Sequence, residues 1–188
     1  MALRLGRIVV IGLGAVVAVS AATSWGVATL TTRTDGDTGA SAQERPGLTL
    51  GVPTILSAKE LTDLGASVDP LYWLGERDGT QLEVTVVYDD TVFVRYLPQG
   101  VRAGASEEYL TVATYRVSAG HEGLREAIEN EEAELLETRT GAVAATFSSH
   151  PASTYLTFPG AAFQVEVFSP TAGEARRLVE NGSPVPAR

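Results

Sequence analysis

Carboxylates are the most numerous side chains in this sequence that could carry out chemistry. Glu107-Glu108 and the pair Glu126 and Glu129 are the candidates. Hydrolysis of a glycosidic bond needs two carboxyl groups roughly 5–10 Å apart across a cleft, with the pKa of one raised by apolar surroundings. The glutamates crowded around Glu126 and Glu129 are more typical of a solvated helix face. A hydrolase is therefore the alternative hypothesis, and the sequence assigns no catalytic residue.

The two histidines do not form a metal motif. His121 lies at the predicted start of a helix beside Glu122, but a zinc-peptidase helix needs a second histidine four residues later, where Arg125 stands. His150 precedes a proline in a predicted turn. We expect both histidines to lie on the surface.

Acidic loops give no stronger signal for a metal. The fragment from Asp35 to Gly39 resembles a calcium loop, but Pro46 occupies the position of the closing glutamate. Asp89-Asp90 is typical of a turn between two strands, because aspartate tolerates left-handed backbone conformations. The sequence therefore predicts no metal site and no cofactor.

Serines also lack a catalytic context. No serine stands in a Gly-x-Ser-x-Gly elbow, and no Ser-x-x-Lys occurs. Ser57, Ser118 and Ser169 are instead predicted to occupy caps and turns.

Aromatic residues fall on the predicted strands or at their ends. Half of each strand faces the core, so most of these side chains are predicted to pack inside the domain. If several of them share an exposed sheet face, they would instead form a docking patch for a protein or a glycan. The set is Tyr72, Trp73, Phe93, Tyr96, Tyr109, Tyr115, Tyr155, Phe158, Phe163 and Phe168.

The pattern of apolar residues predicts the elements that position these side chains. Ser57 and Glu60 stand at capping-box spacing and open a first helix. Helical spacing returns over 120–130 and from about Thr171 to Asn181. Strands are predicted at 71–74, 82–88, 91–97, 109–115, 143–147, 154–158 and 163–168, with a strand or turn over 131–137. The fold class is therefore α+β, a mostly antiparallel sheet with two or three helices packed on one face.

A weak repeat joins two parts of this pattern. A shift of 51 residues superposes Ser118 on Ser169 and Arg125 on Arg176, and both copies read strand, turn, helix. Duplication of a unit of about four strands and one helix is one interpretation, and shared helix-capping chemistry is the other.

The segment Ile8–Leu30 is predicted to cross a membrane. Its 23 residues carry no charge, and a helix of that length spans a hydrocarbon layer of about 30 Å. Arg4 and Arg7 before it place the N-terminus in the cytoplasm. A cleaved signal peptide is the alternative, with small residues Ser20, Ala21 and Ala22 at the cut, and the protein would then be secreted.

The predicted organisation has four parts: a cytoplasmic N-terminus (1–7), the anchor (8–30), a flexible polar tether (31–48) and an extracytoplasmic domain (49–188). There is no cysteine, so the domain must hold together without disulfides. The chain carries a net charge of −9; two of the 14 basic residues and none of the 23 acidic residues lie in the first thirty, so the remainder carries −11. Nucleic acid is therefore excluded as a predicted partner.

Four sequence stretches carry a resemblance to known proteins: 71–75, 92–98, 109–115, and 155–160 together with 163–167. Over roughly residues 68–186 the chain resembles uncharacterised, membrane-anchored or secreted actinobacterial proteins. The resemblance implies an extracytoplasmic location and implies no activity. The favoured prediction is a non-enzymatic, membrane-tethered interaction or sensory module with an envelope protein or glycan as partner. The alternative is a small hydrolase acting on cell-envelope material.

Overall fold

The structure, a computed structural model, describes residues 48–87 and 91–188. Its elements follow one another in the order β1 (Thr54–Leu56), α1 (Ala58–Ser67), β2 (Tyr72–Trp73), β3 (Thr80–Val86), β4 (Val92–Pro98), β5 (Thr111–Arg116), α2 (Gly120–Asn130), β6 (Ala133–Leu136), β7 (Val143–Phe147), β8 (Ser153–Thr157), β9 (Phe163–Phe168), α3 (Glu174–Glu180) and β10 (Val185–Pro186).

Eight of these strands form one antiparallel sheet in the order β1-β3-β4-β5-β9-β8-β7-β6. The sheet consists of two four-stranded halves, β1-β3-β4-β5 and β6-β7-β8-β9, joined where β5 pairs with β9. The short strands β2 and β10 pair separately. The predicted α+β class with a mostly antiparallel sheet is confirmed.

Side chains alternate along each strand, so the sheet has two different faces. On the first face, which we call the valine face, buried valines such as Val84, Val112 and Val165 belong to the main hydrophobic core. Leu61 of α1 and Val179 of α3 belong to the same core. Two helices therefore cover the valine face.

The third helix covers part of the opposite face. Leu124 and Ala127 of α2 pack with Ala145, Phe147 and Tyr155 in a second apolar cluster. The prediction that all helices share one face was therefore wrong. The physical reason is visible in β8, whose five residues are all buried, so both sides of that strand need a covering layer.

The first helix begins where the sequence predicts. The Glu60 amide donates to Ser57 Oγ at 3.2 Å, and the Ser57 amide donates to Glu60 Oε2 at 2.7 Å. This reciprocal pair is the predicted capping box, and it fixes the first turn of α1.

Three predicted elements are confirmed residue for residue, the others differ from the structure by one to three residues at their ends, and β1 and β10 were not predicted. β7, β9 and α2 match residue for residue, whereas the strand predicted at 71–74 shortens to Tyr72–Trp73. The last helix begins at Glu174 rather than near Thr171, because the Thr171 amide donates to Ser169 Oγ at 3.0 Å in a turn before it.

Three predictions lie outside the described residues. They are the segment Ile8–Leu30, the tether up to residue 47, and the turn at Asp89-Asp90. Among the helices of the described ranges, none combines the length and the apolar character that a membrane crossing requires.

Glycine at position 120 lets α2 begin in direct contact with β9. A Cβ atom there would lie 2.3 Å from the Phe163 carbonyl oxygen, whereas one at Gly123 would meet only Gln164 Nε2 at 3.5 Å. The start of α2 is therefore fixed by a close backbone approach that only glycine allows.

We predict opposite effects of alanine at these two positions. Gly120→Ala forces the helix away from β9 and lowers the free energy of unfolding by about 1–3 kcal/mol. Gly123→Ala leaves it unchanged or raises it by up to about 1 kcal/mol, because alanine is the better helix former. Urea unfolding of the full chain in detergent measures the free energy of unfolding of both variants. Equal changes in the two variants would contradict the close approach of Gly120 to the Phe163 backbone.

Candidate functional site

The candidate site is a pocket on the sheet face opposite the valine face. The helix α2 covers this face over the half β6-β7-β8-β9, and the pocket lies over β3, β4 and β5, where α2 does not reach. The segment 99–110, between β4 and β5, forms its outer wall, and the pocket holds about 130 Å³. Its lining consists of Pro53, Glu83, Thr85, Val87, Phe93, Arg95, Ala105, Ser106, Glu107, Glu108, Tyr109, Thr111, Ala113, Tyr115, Glu166 and Phe168.

Strand register places the floor of the pocket in one row across four strands. Thr85 pairs with Phe93, Phe93 with Ala113, and Ala113 with Glu166. Ala113 has the smallest side chain of this row. The pocket therefore gains its depth at Ala113, between an aromatic ring and a carboxylate.

Aromatic rings form the walls of the pocket. The rings of Phe93 and Tyr115 meet edge to face, with centroids 6.0 Å apart. Phe168 and Tyr109 add two further rings, and all four side chains are only half-buried. An apolar group can therefore enter this site and bury itself against rings that still face solvent.

An ion pair lies beside this floor. Glu83 and Arg95 stand directly opposite each other on β3 and β4, and Arg95 Nη1 donates to Glu83 Oε1 at 2.7 Å. The Glu83 side chain is fully buried and that of Arg95 is 19% exposed. Glu83 is therefore a buried carboxylate whose charge depends on Arg95 for compensation.

The same pair holds the segment 99–110 in place. Arg95 Nη2 donates to the carbonyl oxygens of Ala105 at 2.9 Å and Glu107 at 2.7 Å, and its guanidinium lies 5.3 Å from the Tyr109 ring centroid. The Gly104 amide donates to Glu83 Oε2 at 2.5 Å. The outer wall of the pocket is therefore attached to the sheet through these two side chains, and Gln81 of β3 adds a third, because its Nε2 donates to the Val101 carbonyl oxygen.

Glu166 is held by hydroxyl groups instead. Tyr115 donates to Oε2 at 2.6 Å, while Ser153 at 2.6 Å and Tyr155 at 3.1 Å donate to Oε1. Burial, followed by the charge of Glu166, raises the pKa of both tyrosines well above its ordinary value. Both phenols therefore remain protonated donors throughout the physiological pH range.

The hydroxyl group of Thr85 makes no hydrogen bond to another residue that the structure describes, and it is not one of the buried unpaired polar atoms of these residues, which are Arg116 Nε and Thr154 Oγ1. Thr85 is only 8% exposed, and it lines the pocket. The pocket therefore leaves this hydroxyl group accessible, and a ligand in the pocket can hydrogen-bond to it.

Glu83 and Glu166 belong to separate hydrogen-bonded groups, one with Arg95 and Gly104 and the other with Tyr115, Ser153 and Tyr155. They stand on β3 and β9, three strand spacings apart, which corresponds to about 14 Å.

The structure separates the glutamates that the sequence singles out. Glu107 and Glu108 line the pocket at its exposed rim, whereas Glu126 and Glu129 lie exposed on α2. The four residues therefore do not form one site.

Both histidines are half-buried at the surface, and only His121 belongs to a helix. Its side chain is 16% exposed, because it belongs to the first turn of α2, where the helix approaches β9. In the described ranges, histidines, aspartates and glutamates nowhere gather in a group of three that could hold a metal ion.

The sequence singled out the aromatic rings and Glu107-Glu108 of the lining, but it missed Glu83, Thr85 and Arg95. Glu83 and Thr85 alternate with apolar residues on β3, a pattern that predicts an outward, solvated face. They are 1% and 8% exposed, because the segment 99–110 covers them. The available signal was the pair of opposite charges, Glu83 and Arg95, on neighbouring strands. To recognise that the two residues stand opposite each other, one must know the register of the hairpin.

We predict that Arg95→Met lowers the free energy of unfolding by about 3–5 kcal/mol, because it leaves the Glu83 carboxylate buried without a cation. Trypsin should then cut after Arg102, which lies exposed in the released segment. Lys59→Met breaks an exposed ion pair of α1 and is the control, with no measurable change. An Arg95→Met protein as stable and protease-resistant as the parent would contradict this account.

Comparison of the chain with protein-family models, with curated proteins and with solved structures gives no match.

Proposed function

We propose that this protein is a membrane-tethered, extracytoplasmic binding module of the cell envelope, not an enzyme. The observation that carries the proposal is the pocket on the sheet half that α2 leaves open. Half-buried rings of Phe93, Tyr109, Tyr115 and Phe168 line it. An exposed aromatic surface on an open sheet face is the mark expected of a docking surface for a protein or glycan.

The size of the pocket supports recognition of one group of a larger partner. Pockets for whole small-molecule ligands span about 300–1,000 Å³, while a cavity of about 150 Å³ holds one benzene ring. The volume here is about 130 Å³. The module therefore suits a single side chain or ring that projects from a macromolecule.

Sequence features support the location. Ile8–Leu30 is uncharged and preceded by Arg4 and Arg7, and a polar tether follows it. The net charge of −11 after the first thirty residues disfavours nucleic acid as the partner. An anchor followed by a tether would let the domain reach a partner near the membrane surface.

The mass of the mature N-terminus tests the anchor. We predict an uncleaved chain close to 19.8 kDa in the membrane fraction, apart from loss of the initiating methionine. A mature protein that starts near Thr23 would refute the anchor and make the protein secreted.

A hydrolase is the second candidate, and one observation favours it. Glu107 and Glu108 both line the pocket, so a substrate in the pocket would lie next to carboxylates. Loss of a cell-wall-degrading activity in Glu107→Gln/Glu108→Gln would support this candidate over the binding module.

Site-specific photo-crosslinking in living cells tests the binding module. A benzoylphenylalanine at position 107 places the reactive group at the pocket rim, and one at position 129 places it on the outer surface of α2. Both positions are exposed glutamates, so the two proteins carry the same chemical change. We predict a discrete covalent product from position 107 that is absent from position 129.

Filling the pocket provides the control for this experiment. Ala113→Leu fills it from the floor and Ala105→Leu from the outer wall, so both should abolish the product. Each variant is checked for an unchanged thermal transition, since added methylenes can strain a packed site. Identical products from positions 107 and 129, or products that survive both filling variants, would overturn the proposal.

A further inference from the structure

We infer that the pocket receives the basic side chain, lysine or arginine, of a polypeptide partner. This inference rests on the proposed function and names the chemistry of the ligand. It starts from the hydrogen-bonding capacity that the pocket leaves unused.

Most of the unused capacity belongs to acceptors. The carboxylate of Glu166 offers about four acceptor positions, and three hydroxyl donors occupy it. Thr85 adds an accessible hydroxyl group in the lining that makes no hydrogen bond to another described residue. Arg95, by contrast, is already committed to Glu83, to two carbonyl oxygens and to the Tyr109 ring. A ligand that brings donors therefore fits better than one that brings acceptors.

Charge points the same way. Four glutamates line the pocket, and Arg95 compensates only Glu83. Within the described residues, no cationic side chain stands within ion-pair distance of Glu166, Glu107 or Glu108. The pocket thus carries about three uncompensated negative charges when these groups are ionised, and a cation would be drawn to it.

The walls fit the stem and the head of a basic side chain. Lysine and arginine carry an apolar stem of three or four methylenes, which can bury itself against Phe93 and Phe168. The head would then lie near aromatic rings and carboxylates, an arrangement that favours cations. The volume of about 130 Å³ admits one such side chain.

An apolar strip beside the pocket indicates that the side chain comes from a polypeptide. Pro53 lines the pocket, and the large apolar residues next to it, Val52 and Ile55, are 47% and 39% exposed. Ile55 pairs with Glu83 and so lies on the pocket face. A free amine would use only the pocket, whereas a segment with apolar residues around its basic residue would also cover this strip.

Peptide titration of the full chain in detergent, followed by amide NMR shifts of Thr85 and Ala113, tests the inference. The probes are acetyl-Gly-Leu-Lys-Leu-Gly-amide, the same peptide with norleucine for lysine, and n-butylammonium. We expect the lysine peptide to bind at least about tenfold more tightly than the other two, as a charge-assisted hydrogen bond and apolar contacts would give.

Charge variants at the rim separate a local effect from net charge. Glu107→Gln/Glu108→Gln should weaken the lysine peptide several-fold and leave the norleucine peptide unchanged. Glu126→Gln/Glu129→Gln removes the same charge from α2 and should change neither. Thr85→Val, which keeps the shape and removes the hydroxyl group, should weaken the lysine peptide without loss of the fold.

Three results would overturn the inference. If the norleucine peptide binds as tightly as the lysine peptide, the pocket recognises apolar groups and not a cation. If n-butylammonium binds as tightly as the lysine peptide, the partner need not be a polypeptide. Either result leaves the binding module intact, because the crosslink from position 107 tests that separately. An equal effect of the two double variants would reduce the charge argument to net charge and would also overturn it.

Discussion

The pocket depends on one buried ion pair. Glu83 and Arg95 face each other across β3 and β4, and between them they bind the segment 99–110 through three hydrogen bonds and one ring contact. A buried ion pair costs desolvation free energy, and apolar residues of the same shape are often as stabilising. Here the pair holds a segment without regular secondary structure against a sheet, which apolar residues at 83 and 95 could not do with the same hydrogen bonds.

The two halves of the sheet are covered by different means. In the half β6-β7-β8-β9, α2 packs on the face opposite the valines. In the half β1-β3-β4-β5, the segment 99–110 takes the place of a helix on that face. A helix would fill the layer with apolar side chains, whereas the segment is held at its ends and middle by polar contacts. The pocket is the space that remains between this segment and the small side chain of Ala113.

The weak sequence repeat can be compared with the positions of the helices in the two halves of the sheet. Both halves end in strand, turn, helix, as the shift of 51 residues indicates. The helices nevertheless lie on opposite faces, α2 with Phe147 and Tyr155, and α3 with the valine core. An exact structural repeat would have placed a helix over the pocket. Duplication and shared helix-capping chemistry are both consistent with this arrangement.

Local patterns predicted most of the fold. Capping chemistry at Ser57, helical spacing over 120–130 and alternation along β3 and β9 depend on neighbours within a few residues, so the sequence alone reveals them. The candidate site depends on neighbours far apart in sequence. Thr85 and Glu166 share a row only because β5 pairs with β9 in one register, and Glu83 is buried only because a segment twenty residues later covers it. Neither relation leaves a local pattern, so residues that look solvated turn out to line a pocket.

Amide hydrogen exchange at Gly104 tests this account most directly. Its N–H donates to the buried Glu83 carboxylate, whereas Gly100, in the same segment and exposed, makes no backbone hydrogen bond to another described residue. We predict that Gly104 exchanges at least about a hundredfold more slowly than Gly100 after correction for intrinsic rates, since exchange then needs the segment to leave the sheet. Equal exchange at the two glycines would contradict the account, because the ion pair would then not hold the wall of the pocket.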